Sequence, residues 1–150
     1  MIENFRFGRP GKEGSVIIEG GRVVDPSADL DLEGAAVWIE DGRVRAVLPA
    51  GEPRPAHVSL HDARGCWVMP GFIDLHVHLR DPGFEAAEDL QSGTRAAVAG
   101  GFATVCAMPN TLPPPDNPEQ VAHMRARIRA EAHCRAEVVA CATVGRRGQK

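Results

Sequence analysis

The sequence predicts an α/β fold: the start of a (β/α)8 TIM barrel, about three strands and two helices long, preceded by a small β-sandwich-like module. Three observations predict it. Before Leu60 the chain is a series of short β-rich runs cut by glycine, aspartate and proline. After Pro70-Gly71 the pattern becomes strand–helix–strand–helix–strand, which demands parallel strands joined by right-handed crossovers. The first of those strands ends in polar, His-bearing sequence, as barrel strands do where their chemistry sits, and no G-x-G-x-x-G follows it to mark a dinucleotide fold. The expected division is a β-module over residues 1–69 and the first part of a barrel over residues 70–150.

Taken in order, residues 1–13 are polar and Gly-punctuated and read as a loose arm. Val16-Ile17-Ile18 meets an expected turn at Gly20-Gly21, and Arg22-Val23-Val24 stops at Asp25-Pro26. The runs 35–39 and 43–48 flank Asp41-Gly42, a hairpin signal, so the module is expected to be antiparallel. Pro49 to Pro55 reads as a linker-like loop. In the second half, Phe72 to Leu79 is a strand, and Glu85 to Ala99 is an Ala-rich helix stopped at Gly100-Gly101. Phe102 to Met108 is the next strand. Asn117 then caps a helix with Pro118 in its first turn and Gln120 three residues after the cap. Its buried stripe is Val121, Met124, Ile128 and Ala132, and Ala136 to Val144 is the third strand. A barrel takes about 250 residues. Only 80 run from Gly71 to Lys150, so the front of a barrel is expected, with its sheet edges unpaired.

Composition narrows the function classes. Hydrophobic residues at 43% and charged residues at 25% give a globular balance rather than a disordered one. The net charge of -3 carries no basic patch suited to nucleic acid or an anionic membrane, and Arg125, Arg127 and Arg129 read as a solvated helix face. No apolar stretch nears the roughly 20 residues of a membrane span. The start lacks a secretory apolar core, so a cytoplasmic protein is expected. Cys66, Cys106, Cys134 and Cys141 have no C-x-x-C spacing and read as buried, reduced thiols. His57, His61, His123 and His133 read as surface or structural residues.

The chemistry concentrates in Phe72-Ile73-Asp74-Leu75-His76-Val77-His78-Leu79-Arg80. Strand side chains alternate, so Asp74, His76, His78 and Arg80 share a face, while Ile73, Leu75, Val77 and Leu79 would pack beneath the barrel helices. Two histidines about 6.6 Å apart along a strand can lean onto one metal. Burying such polar groups without partners would be costly. Arg80 offers a bidentate fork for a carboxylate, with a surface salt bridge to Asp81 or a nearby acid as the alternative. Asp74 suits a structural role or a bond to an imidazole N–H. Asn110, after Met108-Pro109, suits an amide-bearing substrate or an ordinary turn, and the stiff stretch from Thr111 to Asp116 could wall a substrate.

Met69-Pro70-Gly71-Phe72-Ile73-Asp74-Leu75-His76-Val77-His78-Leu79-Arg80-Asp81-Pro82-Gly83, together with Met108-Pro109-Asn110-Thr111, resembles the amidohydrolase superfamily, and more narrowly the class I bacterial dihydroorotases. Gly20-Gly21-Arg22-Val23-Val24-Asp25-Pro26 is similar to that family's N-terminal β-module. The resemblance implies that His76 and His78 bind the more buried zinc of a two-zinc site, and that Arg80 and Asn110 hold the substrate's carboxylate. It implies reversible cyclisation of N-carbamoyl-L-aspartate to L-dihydroorotate in de novo pyrimidine biosynthesis. The alternatives are another cyclic amidohydrolase (hydantoinase, dihydropyrimidinase or allantoinase) and an inactive partner of aspartate transcarbamoylase; a homodimer is also open. The bridging carboxylate, two further histidines and the general acid/base are expected beyond Lys150. Lys150 itself follows the third strand, one strand too early for a carbamylated bridge, and residues 1–150 alone are expected to be catalytically inert.

Overall fold

In a computed structural model, residues 14–149 are described, so the expected arm at 1–13 and Lys150 lie outside the described residues. Contacts divide the chain into two compact units, with the boundary between Pro70 and Gly71.

The first unit is one five-stranded sheet. Strand β1 (Ser15–Asp25) pairs antiparallel with β2 (Leu30–Glu40), and β2 with β3 (Arg43–Leu48). Asp41 and Gly42 both have positive φ, 49° and 73°, which is what a tight hairpin turn of matching twist requires. Two expectations are corrected. Strands β4 (Ser59–Asp62) and β5 (Trp67–Val68) run parallel to β1, so the sheet is mixed rather than antiparallel. Nor does the chain turn back at Gly20-Gly21. There β1 continues through an irregularity of register, with Gly20 at φ 82°. A Cβ on Gly21 would lie 2.9 Å from Val68 Cγ2 and 3.0 Å from the carbonyls of Ala63 and Cys66, so the pair serves the close approach of the β4–β5 segment. Val23, Ala35 and Val37 form the core of this sheet.

The second unit carries three parallel strands in the order β6 (Phe72–Val77), β7 (Phe102–Ala107), β8 (Arg135–Val138). Between them run α1 (Leu90–Ala99) and α2 (Pro118–Glu131). Each strand is shorter than its periodicity suggests, β8 above all, because the loops after the strands bond to one another instead. Helix α1 starts five residues later than the expected Glu85. Asp89 caps it by accepting from Ser92 N at 2.7 Å, with Ser92 reaching back to the Asp89 N–H. Helix α2 begins as its sequence requires, with Asn117 Oδ1 accepting from Gln120 N at 2.9 Å. Leu79, Leu90, Val105, Ala107 and Ala136 make the core, with Ile128 and Ala132 of the expected stripe packed against it. Met124 is also buried.

The apolar face of β6 departs from expectation. Leu79 is buried and Val77 half-buried, but Ile73 and Leu75 stand 62% and 72% exposed. The cause is position: β6 is an edge of this three-stranded sheet, with β7 its sole strand partner among the described residues. Two cysteines also carry thiols that burial pushes up, Cys134 and Cys141, whereas Cys66 is exposed, contrary to the buried reading.

Candidate functional site

Strand β6 ends at Val77, so His76 is within it and His78 is the first residue beyond. The Met108 N–H donates to the Val77 carbonyl at 2.9 Å, which sets the ends of β6 and β7 side by side. This brings His78 against Asn110: His78 Nδ1 lies 2.9 Å from Asn110 Oδ1. The His76 and His78 rings sit 5.2 Å apart between centroids and at 75° to each other. Asp74 points elsewhere. Its Oδ1 accepts from the His76 backbone N–H at 2.9 Å, a local structural bond rather than a bond to an imidazole.

Two neutral imidazoles suit zinc chemically, each able to present one nitrogen lone pair. They supply two of the roughly four ligands that zinc takes. Among the described residues no cluster of three or more His, Cys, Asp or Glu side chains completes such a set. The pair therefore fits one side of a metal site.

Arg80 and Asp81 are neighbours with opposite fates. Arg80 has φ 62° and is exposed, and its carbonyl accepts from Phe84 N at 2.9 Å in a tight turn. Asp81 is turned inward and buried. Its Oδ2 accepts from Arg127 Nη2 at 2.9 Å and from Leu90 N at 3.3 Å, and its Oδ1 accepts from Arg127 Nη1. Arg127 also holds Glu131, with Nε–Oε1 at 3.0 Å and Nη2–Oε2 at 2.9 Å. Glu131 and then Asp81 raise the Arg127 guanidinium above its usual value, and Arg127 in turn lowers the Glu131 carboxyl. The alternative of an Arg80–Asp81 salt bridge is thereby removed. Among the described residues the Arg80 guanidinium makes no ion pair. The expected solvated face of α2 is also corrected: Arg125 and Arg129 are exposed, but Arg127 is the partner of a buried carboxylate.

The loops after the three strands are bonded to one another. Leu112 N donates to the Pro82 carbonyl at 2.9 Å, and Gly145 N donates to Asp116 Oδ2 at 2.7 Å. Cys141 N donates to the Pro115 carbonyl at 2.9 Å. Gly83, at φ 104°, leaves no room for a side chain, since a Cβ would come 2.5 Å from the Leu112 carbonyl oxygen. Thr111 is buried, with Oγ1 donating to the Pro113 carbonyl at 2.9 Å.

His76, His78, Arg80 and Asn110 thus all fall at or just beyond the carboxyl ends of β6 and β7, where the two imidazoles meet edge to face and His78 pairs with Asn110. His57, His61, His123 and His133 are exposed and far along the chain from them. Asp81, Arg127 and Thr94 are the residues that sequence reading misses. Thr94 is fully buried on α1, its Oγ1 donating to the Leu90 carbonyl at 2.6 Å and accepting from His133 N at 3.0 Å. Only the four-residue spacing of Arg127 and Glu131 was available as a signal.

The profile of the family described as Dihydro-orotase-like matches residues 65–150. Curated relatives include the dihydroorotase of Pelobacter propionicus, 46% identical over 136 residues covering 91% of this chain and 32% of that protein. The dihydroorotase of Trichlorobacter lovleyi is 44% identical over the same shares. The chain spans about a third of the length of these relatives. Among solved structures, an L-hydantoinase (dihydropyrimidinase) from Arthrobacter aurescens superposes with a TM-score of 0.69 at 25% identity, covering 85% of this chain and 27% of its own. A D-hydantoinase from Bacillus sp. AR9 gives 0.64 at 32% identity, covering 82% and 26%.

Proposed function

We propose a function from the fact that this chain belongs to the dihydroorotase-like family: it carries the metal- and carboxylate-binding front of a dihydroorotase. The whole polypeptide then interconverts N-carbamoyl-L-aspartate and L-dihydroorotate in the cytoplasmic synthesis of pyrimidines. The observation that supports this most is the state of Arg80. Its adjacent acid is consumed by Arg127, so among the described residues a guanidinium without an ion pair stands two residues from an imidazole that contacts an amide. A ring bearing a carboxylate needs such a fork. A ring without one does not.

His76 and His78 would hold zinc, which supplies the Lewis acidity that opening a cyclic amide at neutral pH requires. The chain's own residues bind and orient. Arg80 takes the carboxylate, and Asn110 reaches it with its amide N–H while touching His78 through its oxygen. The interlocked strand-end loops keep these donors fixed relative to one another. We place the remaining ligands and the general acid/base outside residues 1–150.

Hydantoinase activity is the second reading, favoured by the structural neighbours. A polypeptide expressed from the complete coding sequence should hydrolyse L-dihydroorotate in preference to hydantoin and allantoin, lose turnover to a chelator and recover it with zinc. Equal rates on hydantoin, or turnover that survives His76→Ala with His78→Ala, would sink the proposal. Absence of all turnover with intact binding of aspartate transcarbamoylase would favour the inactive-partner alternative.

A further inference from the structure

We propose that Asn110 is a positioning residue that fixes the tautomer of His78, holding its proton on Nδ1 and leaving Nε2 as the free lone pair. The zinc-binding consequence rests on the proposed function; the tautomer itself does not. The contact is direct, 2.9 Å between His78 Nδ1 and Asn110 Oδ1, across 32 residues of sequence. It is also built: the Met108 N–H to Val77 carbonyl bond locks the strand ends that present the two side chains.

A carboxamide oxygen has lone pairs and no hydrogen, so a ring nitrogen at this distance from it has to bring the proton. Neutral imidazole has one proton. With that proton at Nδ1, Nε2 is available to a cation. Were the amide turned over, Nδ2 would donate to a bare Nδ1, the proton would sit on Nε2, and His78 could not ligate through that atom. The orientation of one amide therefore decides whether His78 is a ligand there. Among the described residues the His76 ring has no comparable hydrogen-bond partner, so the control falls on His78 alone. The same orientation leaves both Nδ2 hydrogens for a substrate carboxylate, which lets a single side chain serve the metal ligand with its oxygen and the substrate with its nitrogen.

The test uses the full chain, free of metal, with ¹⁵N-labelled histidine, at a pH where the imidazoles are neutral. The His78 resonances are assigned by their loss in His78→Gln. In the unmodified protein, long-range ¹H–¹⁵N correlations should show a protonated Nδ1 and a bare Nε2. Asn110→Ala should release that preference, and zinc affinity measured by competition with a chromogenic chelator should fall about 10–100-fold. Asn110→Asp keeps an acceptor oxygen and loses the amide donor. It should restore both the tautomer and the zinc affinity while still weakening binding of a carboxylate substrate. A bare Nδ1 in the unmodified protein, or an unchanged tautomer in Asn110→Ala, overturns the proposal. Failure of the metal reading shows differently: His76→Ala/His78→Ala would then bind zinc as the unmodified chain does, with the tautomer result still decisive.

Discussion

Replacing Arg127 with methionine tests whether the Asp81 ion pair holds the second unit together. Methionine keeps much of the aliphatic bulk and removes every donor. The Asp81 side chain is 2% exposed, and it would lose both guanidinium contacts while keeping the 3.3 Å bond from Leu90 N. Removing one partner of a buried pair costs about 3–5 kcal/mol. The Arg127 side chain retains 30% exposure, which gives water a route in and puts the expected loss near the low end, about 3 kcal/mol. Urea unfolding followed by the far-ultraviolet helix signal is the assay, since both helices belong to the second unit while Trp38 and Trp67 lie in the first. With a urea slope of about 1–3 kcal/mol per molar, the midpoint should fall by roughly 1–3 M. Adding Asp81→Asn should recover most of this, because a neutral amide is cheaper to bury than an unpaired carboxylate. A single variant within about 1 kcal/mol of the parent, or a double variant no more stable than the single, would refute the reasoning.

Other outcomes follow from the same structure. Glu131 and Asp89 have carboxyl groups held below their ordinary values, by the Arg127 guanidinium and by the Ser92 N–H respectively. A depressed folded value means that their stabilisation is complete above the ordinary carboxylate range, about pH 4–5, and is lost as pH falls through the folded values. The helix signal should therefore melt progressively lower below that range, and Glu131→Gln should flatten the acid limb. Alkylation by iodoacetamide, read by mass spectrometry, should mark exposed Cys66 first and Cys134 last, since burial raises the Cys134 thiol. Gly83→Ala should lower the thermal midpoint and weaken carboxylate binding, at a cost of about 1–3 kcal/mol for the strained backbone alone. An unchanged melt would show that the Leu112 segment yields freely.

What was legible in the sequence is what short-range chemistry decides. Asp41-Gly42 turns a hairpin because two successive positive φ angles are a local demand, and Asn117-Pro118 opens α2 for an equally local reason. Gly20-Gly21 offers the same kind of signal and means something else, because the need for glycine there comes from Ala63, Cys66 and Val68, more than forty residues on. Helix α1 starts late for a related reason: Asp81 accepts from the Leu90 N–H, and Asp89 caps the first turn, so the helical bias of Glu85-Ala86-Ala87 is overridden. The candidate site divides along the same line. His76, His78, Arg80 and Asn110 stand out as polar residues at strand ends, visible in spacing alone. Which cation takes the Asp81 carboxylate is not visible there, since Arg80 is its neighbour and Arg127 lies 46 residues away. Burial decides it. A carboxylate buried at the start of α1 can be reached by the arginine on α2, while the arginine before it, turned out by a left-handed backbone, is left with its charge facing solvent. The specificity assigned to Arg80 thus depends on a residue that no motif contains.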